Sequence, residues 1–190
     1  GDATVFPNGP GRAKILITAE QDWRAHLDVV VDSIAALGGT ACVNATAVLY
    51  EGDPRPLAQA LGERLKAMEP LPLSDPHAVL PAQPLDTAHA TARLVRRAGA
   101  AATPILGADQ VVADLGDGQA VLRPAVHLLG EPEPETLNVE LPFPCVWVAP
   151  WRRNEIAPLR NSLVLTAITD DDELVDELVE EPSITNLYVG

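Results

Sequence analysis

Cys42 follows a glycine pair in the stretch Gly38-Gly39-Thr40-Ala41-Cys42-Val43-Asn44-Ala45-Thr46, between an amphipathic pattern and a β-rich run. A tight turn there projects a thiol from the end of a helix toward a cleft, the geometry that a nucleophile needs. Free N–H groups beside the glycines would stabilise an oxyanion. Asn44 and Thr46 are polar where a plain core strand would be apolar, so both are candidates to line a substrate pocket. The competing reading of any free cysteine is a small buried hydrophobe. Cys145, inside Phe-Pro-Cys-Val-Trp-Val, takes that reading.

Other chemistry-bearing groups are sparser. Asn8-Gly-Pro-Gly-Arg-Ala-Lys14 is a glycine-rich stretch before a strand, where a substrate would approach the backbone closely, but it matches no phosphate-cradling pattern. A surface turn is its plainer reading. His26, His77, His89 and His127 are scattered without ligand spacing, so no metal site is expected. No G-x-S-x-G elbow occurs. Taken alone, Glu140 reads as a solvated loop carboxylate and the acidic run 170–181 as an exposed helical face.

The elements that must position Cys42 alternate. Residues 14–19 form a short apolar run, read as a buried strand. Asp22 is placed to cap a helix with Trp23, Leu27, Val30, Ile34 and Leu37 on its inner face, stopped by Gly38 and Gly39. A strand is predicted over 43–50, then a helix with Leu57, Leu61, Leu65 and Met68 inward. Residues 70–84 hold five prolines and read as a loop. Asp86 is placed to cap a third helix that ends at Gly99. Strands are predicted at 104–106, 111–113 and 121–129, followed by an acidic loop and a strand at 145–149. Partial helix at 153–160, a strand at 162–169, a helix at 170–180 and a strand at 184–189 complete the chain. That helix would turn Leu174, Val175, Leu178 and Val179 inward, with four acidic residues in its first turn suiting its dipole. Alternating strands and helices with buried β-branched runs predict an α/β fold with a mostly parallel sheet flanked by helices.

Bulk properties narrow the partners. A length of 190 residues suits one domain, or one lobe of a larger enzyme, and 47% apolar residues mark it as globular. A net charge of −14 argues against nucleic acid and anionic membranes. Two distant cysteines make no disulfide framework, so a reducing cytoplasm is expected. No apolar run approaches the ~20 residues of a membrane helix. Nor does the start carry the basic and apolar regions of a signal peptide.

In order, these pieces resemble the catalytic, cysteine-bearing domain of the aldehyde dehydrogenase superfamily. In that family a glycine-rich strand entrance precedes a helix that ends at the nucleophilic cysteine; here these are Gly9-Pro10-Gly11, the helix over 22–37, and Cys42. Ala98-Gly99-Ala100 resembles the family's Gly-Ala after a helix, and 121–126 its strand with Pro-Thr. Glu140-Leu-Pro-Phe-Pro-Cys-Val resembles the motif whose glutamate holds the nicotinamide ribose, and 161–169 the strand with Tyr-Gly-Leu. The collinearity covers nearly the whole chain. Two departures accompany it. Hydrolytic members carry a general-base glutamate just before the strand entrance, whereas no carboxylate lies between Asp2 and Glu20 here. This chain therefore looks more like the acylating, acyl-CoA reductase branch, where a thiol acceptor replaces water. The family's nucleotide-binding lobe, which also supplies the oxyanion asparagine, is not matched.

The resemblance implies a single catalytic domain over 1–190, excised from a two-lobed enzyme and by itself inactive. It implies an NAD- or NADP-dependent interconversion of aldehyde and acyl thioester, with coenzyme A or a carrier-protein thioester as co-substrate and a homo-oligomeric full-length form. Cys42 would be the nucleophile, Glu140 the cofactor contact, and Asn44 and Thr46 pocket residues. Two rivals remain open: a hydrolytic aldehyde dehydrogenase, and a non-catalytic interaction domain of the same fold.

Overall fold

In a computed structural model, described here for residues 11–190, a seven-stranded sheet divides two apolar cores. The strands run, from one edge to the other, β10 (Ile184–Val189), β9 (Ser162–Ile168), β1 (Ala13–Ile17), β2 (Ala45–Tyr50), β8 (Cys145–Pro150), β7 (Ala125–Leu128) and β4 (Thr103–Leu106). All neighbours pair parallel except β4, which is antiparallel to β7. This is the mostly parallel α/β sheet that the alternating pattern predicts.

Central strands covered on both faces must be apolar on both. Along β1, Ile15 and Ile17 point to one core and Leu16 to the other; along β8, Val146 and Val148 oppose Trp147 and Ala149. Helices α1 (Leu27–Ala35) and α2 (Arg55–Leu65) cover the first face through Val30, Ile34, Leu57, Leu61 and Leu65. On the second face lie α3 (Leu85–Ala98), α5 (Asp172–Glu180) and a three-stranded antiparallel sheet, β3 (Ala82–Pro84), β6 (Gln119–Leu122) and β5 (Val112–Gly116). A single-turn α4 (Pro134–Leu137) lies within the expected acidic loop.

Several boundaries differ from expectation, each for a local reason. The first helix starts at Leu27, because Asp22 instead accepts the Arg24 N–H at 3.1 Å in a preceding turn. Its end at Ala35 is followed by a 3-10 turn, Ala36–Gly39, in which Leu37 and Gly38 take left-handed backbones. That reversal throws Leu37 outward, 79% exposed, where the spacing had it inward. Asp86 sits inside the first turn of α3, whose cap position is Pro84. The run 121–129 is two strands in two sheets, broken at Arg123–Pro124, where proline has no N–H to donate. The proline-rich loop ends in β3. Val179 is 68% exposed on α5, while Leu174 and Leu178 are buried as expected. His127 is buried against Trp147, ring centroids 4.8 Å apart, and burial lowers its pKa to about 4.

Candidate active site

Parallel order brings the amino ends of β1, β2 and β8 side by side, and with them three segments distant in sequence. Gly11 enters β1, Cys42 lies in the turn before β2, and Glu140 lies in the loop before β8. Gly11 joins the other two. Its N–H donates to Glu140 Oε2 at 2.7 Å. On its other side it packs on the Cys42 backbone, so close that a β-carbon at Gly11 would run into the Cys42 carbonyl and lie 2.7 Å from Glu140 Oε1. Only glycine fits between them. Gly11 of the glycine-rich entrance, the cysteine and the glutamate singled out in the sequence are therefore one cluster. Asn8, Gly9 and Pro10 of that entrance lie outside the described residues.

The Cys42 turn is held from three directions. Gly39, at φ +69°, lies against the Phe143–Pro144 backbone where no side chain would fit. Asn44 N–H donates to the Ala41 carbonyl at 2.9 Å, closing a turn around Cys42. The Asn44 side chain reinforces it: Oδ1 accepts from Ala41 N–H at 2.7 Å, and Nδ2 donates to the Ser33 and Ala36 carbonyls at 3.1 and 3.0 Å. That amide ties the end of α1 to the turn. Thr46 is buried and donates through Oγ1 to the Ala13 carbonyl at 3.2 Å, linking β2 to β1. Both polar residues that the sequence suggested as pocket lining are thus engaged with backbone behind the turn.

Cys42 itself is exposed, and its backbone N–H donates to no protein acceptor among the described residues. Cys145 is buried on β8, and desolvation raises its thiol pKa far above the ordinary value. The two thiols are therefore unlike: one is accessible and one is held protonated. Beside the Cys42 turn a cavity of about 370 Å³ is lined by Arg12, Gly39, Thr40, Asn138 and Glu140, with Leu141 and Pro142. Arg12 and Asn138 carried no signal in the sequence beyond their neighbourhood to Gly11 and Glu140. Two residues after Arg12, on β1, Lys14 is buried, donates to the Arg160 carbonyl at 2.6 Å, and has its pKa lowered to about 8 by burial and then by the Arg12 charge. No helix among the described residues is long and apolar enough to cross a membrane.

No protein-family model matches the chain, and no curated protein does. Solved structures do. It superimposes on γ-glutamyl-γ-aminobutyraldehyde dehydrogenase from Burkholderia cenocepacia J2315 with a TM-score of 0.77 at 13% identity, over 94% of this chain and 37% of that one. Betaine aldehyde dehydrogenase from Staphylococcus aureus, solved in complex with NAD+, gives 0.76 at 16% identity, over 94% and 37%. Lactaldehyde dehydrogenase from Escherichia coli gives 0.73 at 20% identity, over 94% and 39%. The chain thus spans well under half the length of these enzymes. Its fold is the α/β fold of that segment of the aldehyde dehydrogenases.

Proposed function

We propose that Cys42 is the nucleophile of a nicotinamide-coupled reaction between an aldehyde and an acyl thioester, and that these residues are the cysteine-bearing domain of that enzyme. The observation that carries this reading is Gly11 wedged between the Cys42 backbone and the Glu140 carboxylate, beside an open cavity. A thiol on a tightly held turn, next to an unspent backbone N–H, is suited to attack on a carbonyl carbon. The Cys42 thiolate adds to that carbon, and the Cys42 N–H donates to the oxygen as negative charge develops there. Asn44 and Thr46 act from behind, Asn44 by fixing the turn and Thr46 by joining β2 to β1.

Glu140 suits contact with the cofactor's ribose, because an exposed carboxylate on a cavity wall accepts hydrogen bonds from paired hydroxyls. When bound, NAD or NADP supplies hydride acceptance or donation. We take that cofactor to be held mainly by a nucleotide-binding lobe beyond these residues, so this domain alone would not turn over. The stretch from residue 3 to residue 19 has no carboxylate to activate water, which favours a thiol as acyl acceptor, either coenzyme A or a carrier-protein thiol. Acyl transfer to the enzyme needs no nicotinamide and so tests the reading on the chain as it is. Incubation with p-nitrophenyl acetate should place one acetyl group on Cys42, seen by peptide mass mapping, and coenzyme A should remove it faster than water does. A folded chain that acquires no acetyl group on Cys42 would favour the non-catalytic domain instead. Removal by water alone, unaffected by coenzyme A, would favour the hydrolytic reading.

A further inference from the structure

Arg12 bears two local costs at once. Its backbone has φ 45°, in the left-handed region where an L side chain is strained. Its Nε–H is buried and donates to no acceptor among the described residues. No carboxylate pairs with it among the described residues, in a chain of net charge −14. Burial first, and the Arg12 charge second, hold the pKa of Lys14 at about 8. On the lining of the same cavity, Asn138 Oδ1 is also buried without a partner among the described residues. An asparagine amide can present either its oxygen or its NH2 group to a ligand. Strain and unsatisfied polar groups that coincide on one cavity are what a binding site retains at the expense of stability.

We propose that Arg12, with Asn138, forms a subsite for a small anion, a carboxylate or phosphate group, in the cavity beside the Cys42 turn. A guanidinium fork matches both anions through paired N–H donors. Glu140 shares the lining, so a ligand with a hydroxyl or ammonium donor next to its anionic group fits best. This case stands on Arg12 and Asn138 and does not need a reactive Cys42. Joined to the proposed chemistry, and resting on it for this step, the subsite makes the attacked compound an aldehyde or thioester bearing an anionic group.

The test is an NMR titration of the 15N-labelled chain with glycolate, inorganic phosphate and, at matched ionic strength, chloride. The Arg12 Nε–H and Asn138 side-chain signals should shift saturably with glycolate or phosphate, at a midpoint of about 1–10 mM, and not with chloride. Saturation by glycolate identifies a carboxylate, and saturation by phosphate alone identifies a phosphate. Arg12→Gln should weaken the midpoint at least tenfold. Arg12→Gly accepts the left-handed backbone, so it should lose binding while raising Tm, which separates lost binding from lost folding. Shifts that track ionic strength alone, or an unchanged midpoint in both variants, would overturn the subsite. Tight glycolate binding together with an unreactive Cys42 would uphold the subsite and count against the proposed reaction.

Discussion

The two ends of the central strands are built differently. At the carboxyl ends of β1, β2, β8 and β9, polar groups are paired: Arg153 bonds Glu51 and Glu20 at 2.7 and 3.2 Å and also contacts Asp171. Glu20 accepts from Thr18 and Thr169 at 2.6 and 3.0 Å, and Ala19 N–H donates to Glu51 at 3.1 Å. At the amino ends, Arg12 and Asn138 keep buried atoms without partners among the described residues, Lys14 is buried on one carbonyl, and Arg12, Leu37, Gly38 and Gly39 take left-handed backbones. In this sheet the carboxyl end acts as a clasp, and the amino end, with its buried unpaired atoms and the left-handed Arg12, holds an accessible thiol and a cavity. Strain of this kind points to function where it coincides with a cavity and reactive groups.

Substitutions at four positions test that contrast. Gly39→Ala is expected to act most strongly, because a β-carbon meets the Phe143–Pro144 backbone and the left-handed φ penalises it further. Destabilisation of about 3–4 kcal/mol in urea unfolding is expected. Asn44→Ala removes three buried side-chain hydrogen bonds and leaves the Ala41 N–H unpaired. It should cost about 2–3 kcal/mol and slow alkylation of Cys42 while native protein remains. Asn44→Asp, which keeps the acceptor for Ala41, should recover part of the alkylation rate.

Lys14→Met tests the amino end from the other side. The folded pKa of Lys14 lies below its unfolded value, so the folded chain binds its proton less tightly, and stability should rise as pH climbs from 8 to 10.5. Replacement by methionine should raise stability at pH 7 by about 2 kcal/mol, with the gain shrinking across that window. Arg153→Met tests the carboxyl end, leaving Glu20, Glu51 and Asp171 without their shared cation. A loss of about 1–2 kcal/mol at pH 7 is expected, since the network is partly exposed. Burial opposes ionisation of Glu20, but hydrogen bonds led by Thr18, with the Arg153 charge, prevail and hold its pKa at about 2. Its contribution is therefore present above pH 4.5 and lost as pH falls toward 2, and that acid loss should be shallower in Arg153→Met.

The sequence made the sheet and the cluster legible to different degrees. Apolar runs identified the central strands, because β1 and β8 are buried on both faces and admit few polar residues. The glycine-rich entrance, Cys42 and Glu140 were legible as separate motifs, but their meeting depends on parallel order, which periodicity does not encode. Leu37 was misplaced because a spacing of three and four assumes that the helix continues, and two left-handed residues end it. Asn44 was legible as an unusual polar residue, but its partners at Ser33 and Ala36 come from a helix end whose position was not. Arg12 and Asn138 were invisible as a pair, since an unsatisfied group is defined by its surroundings and not by its residue type.

The reaction proposed for the site depends on Cys42 being an accessible thiol while Cys145 is packed in the core. Timed alkylation of the folded chain with iodoacetamide, mapped by peptide, measures this directly. Cys42 should be modified first, and Cys145 should stay unmodified until the chain is unfolded in urea. Modification of Cys145 in the folded chain with Cys42 untouched would contradict it.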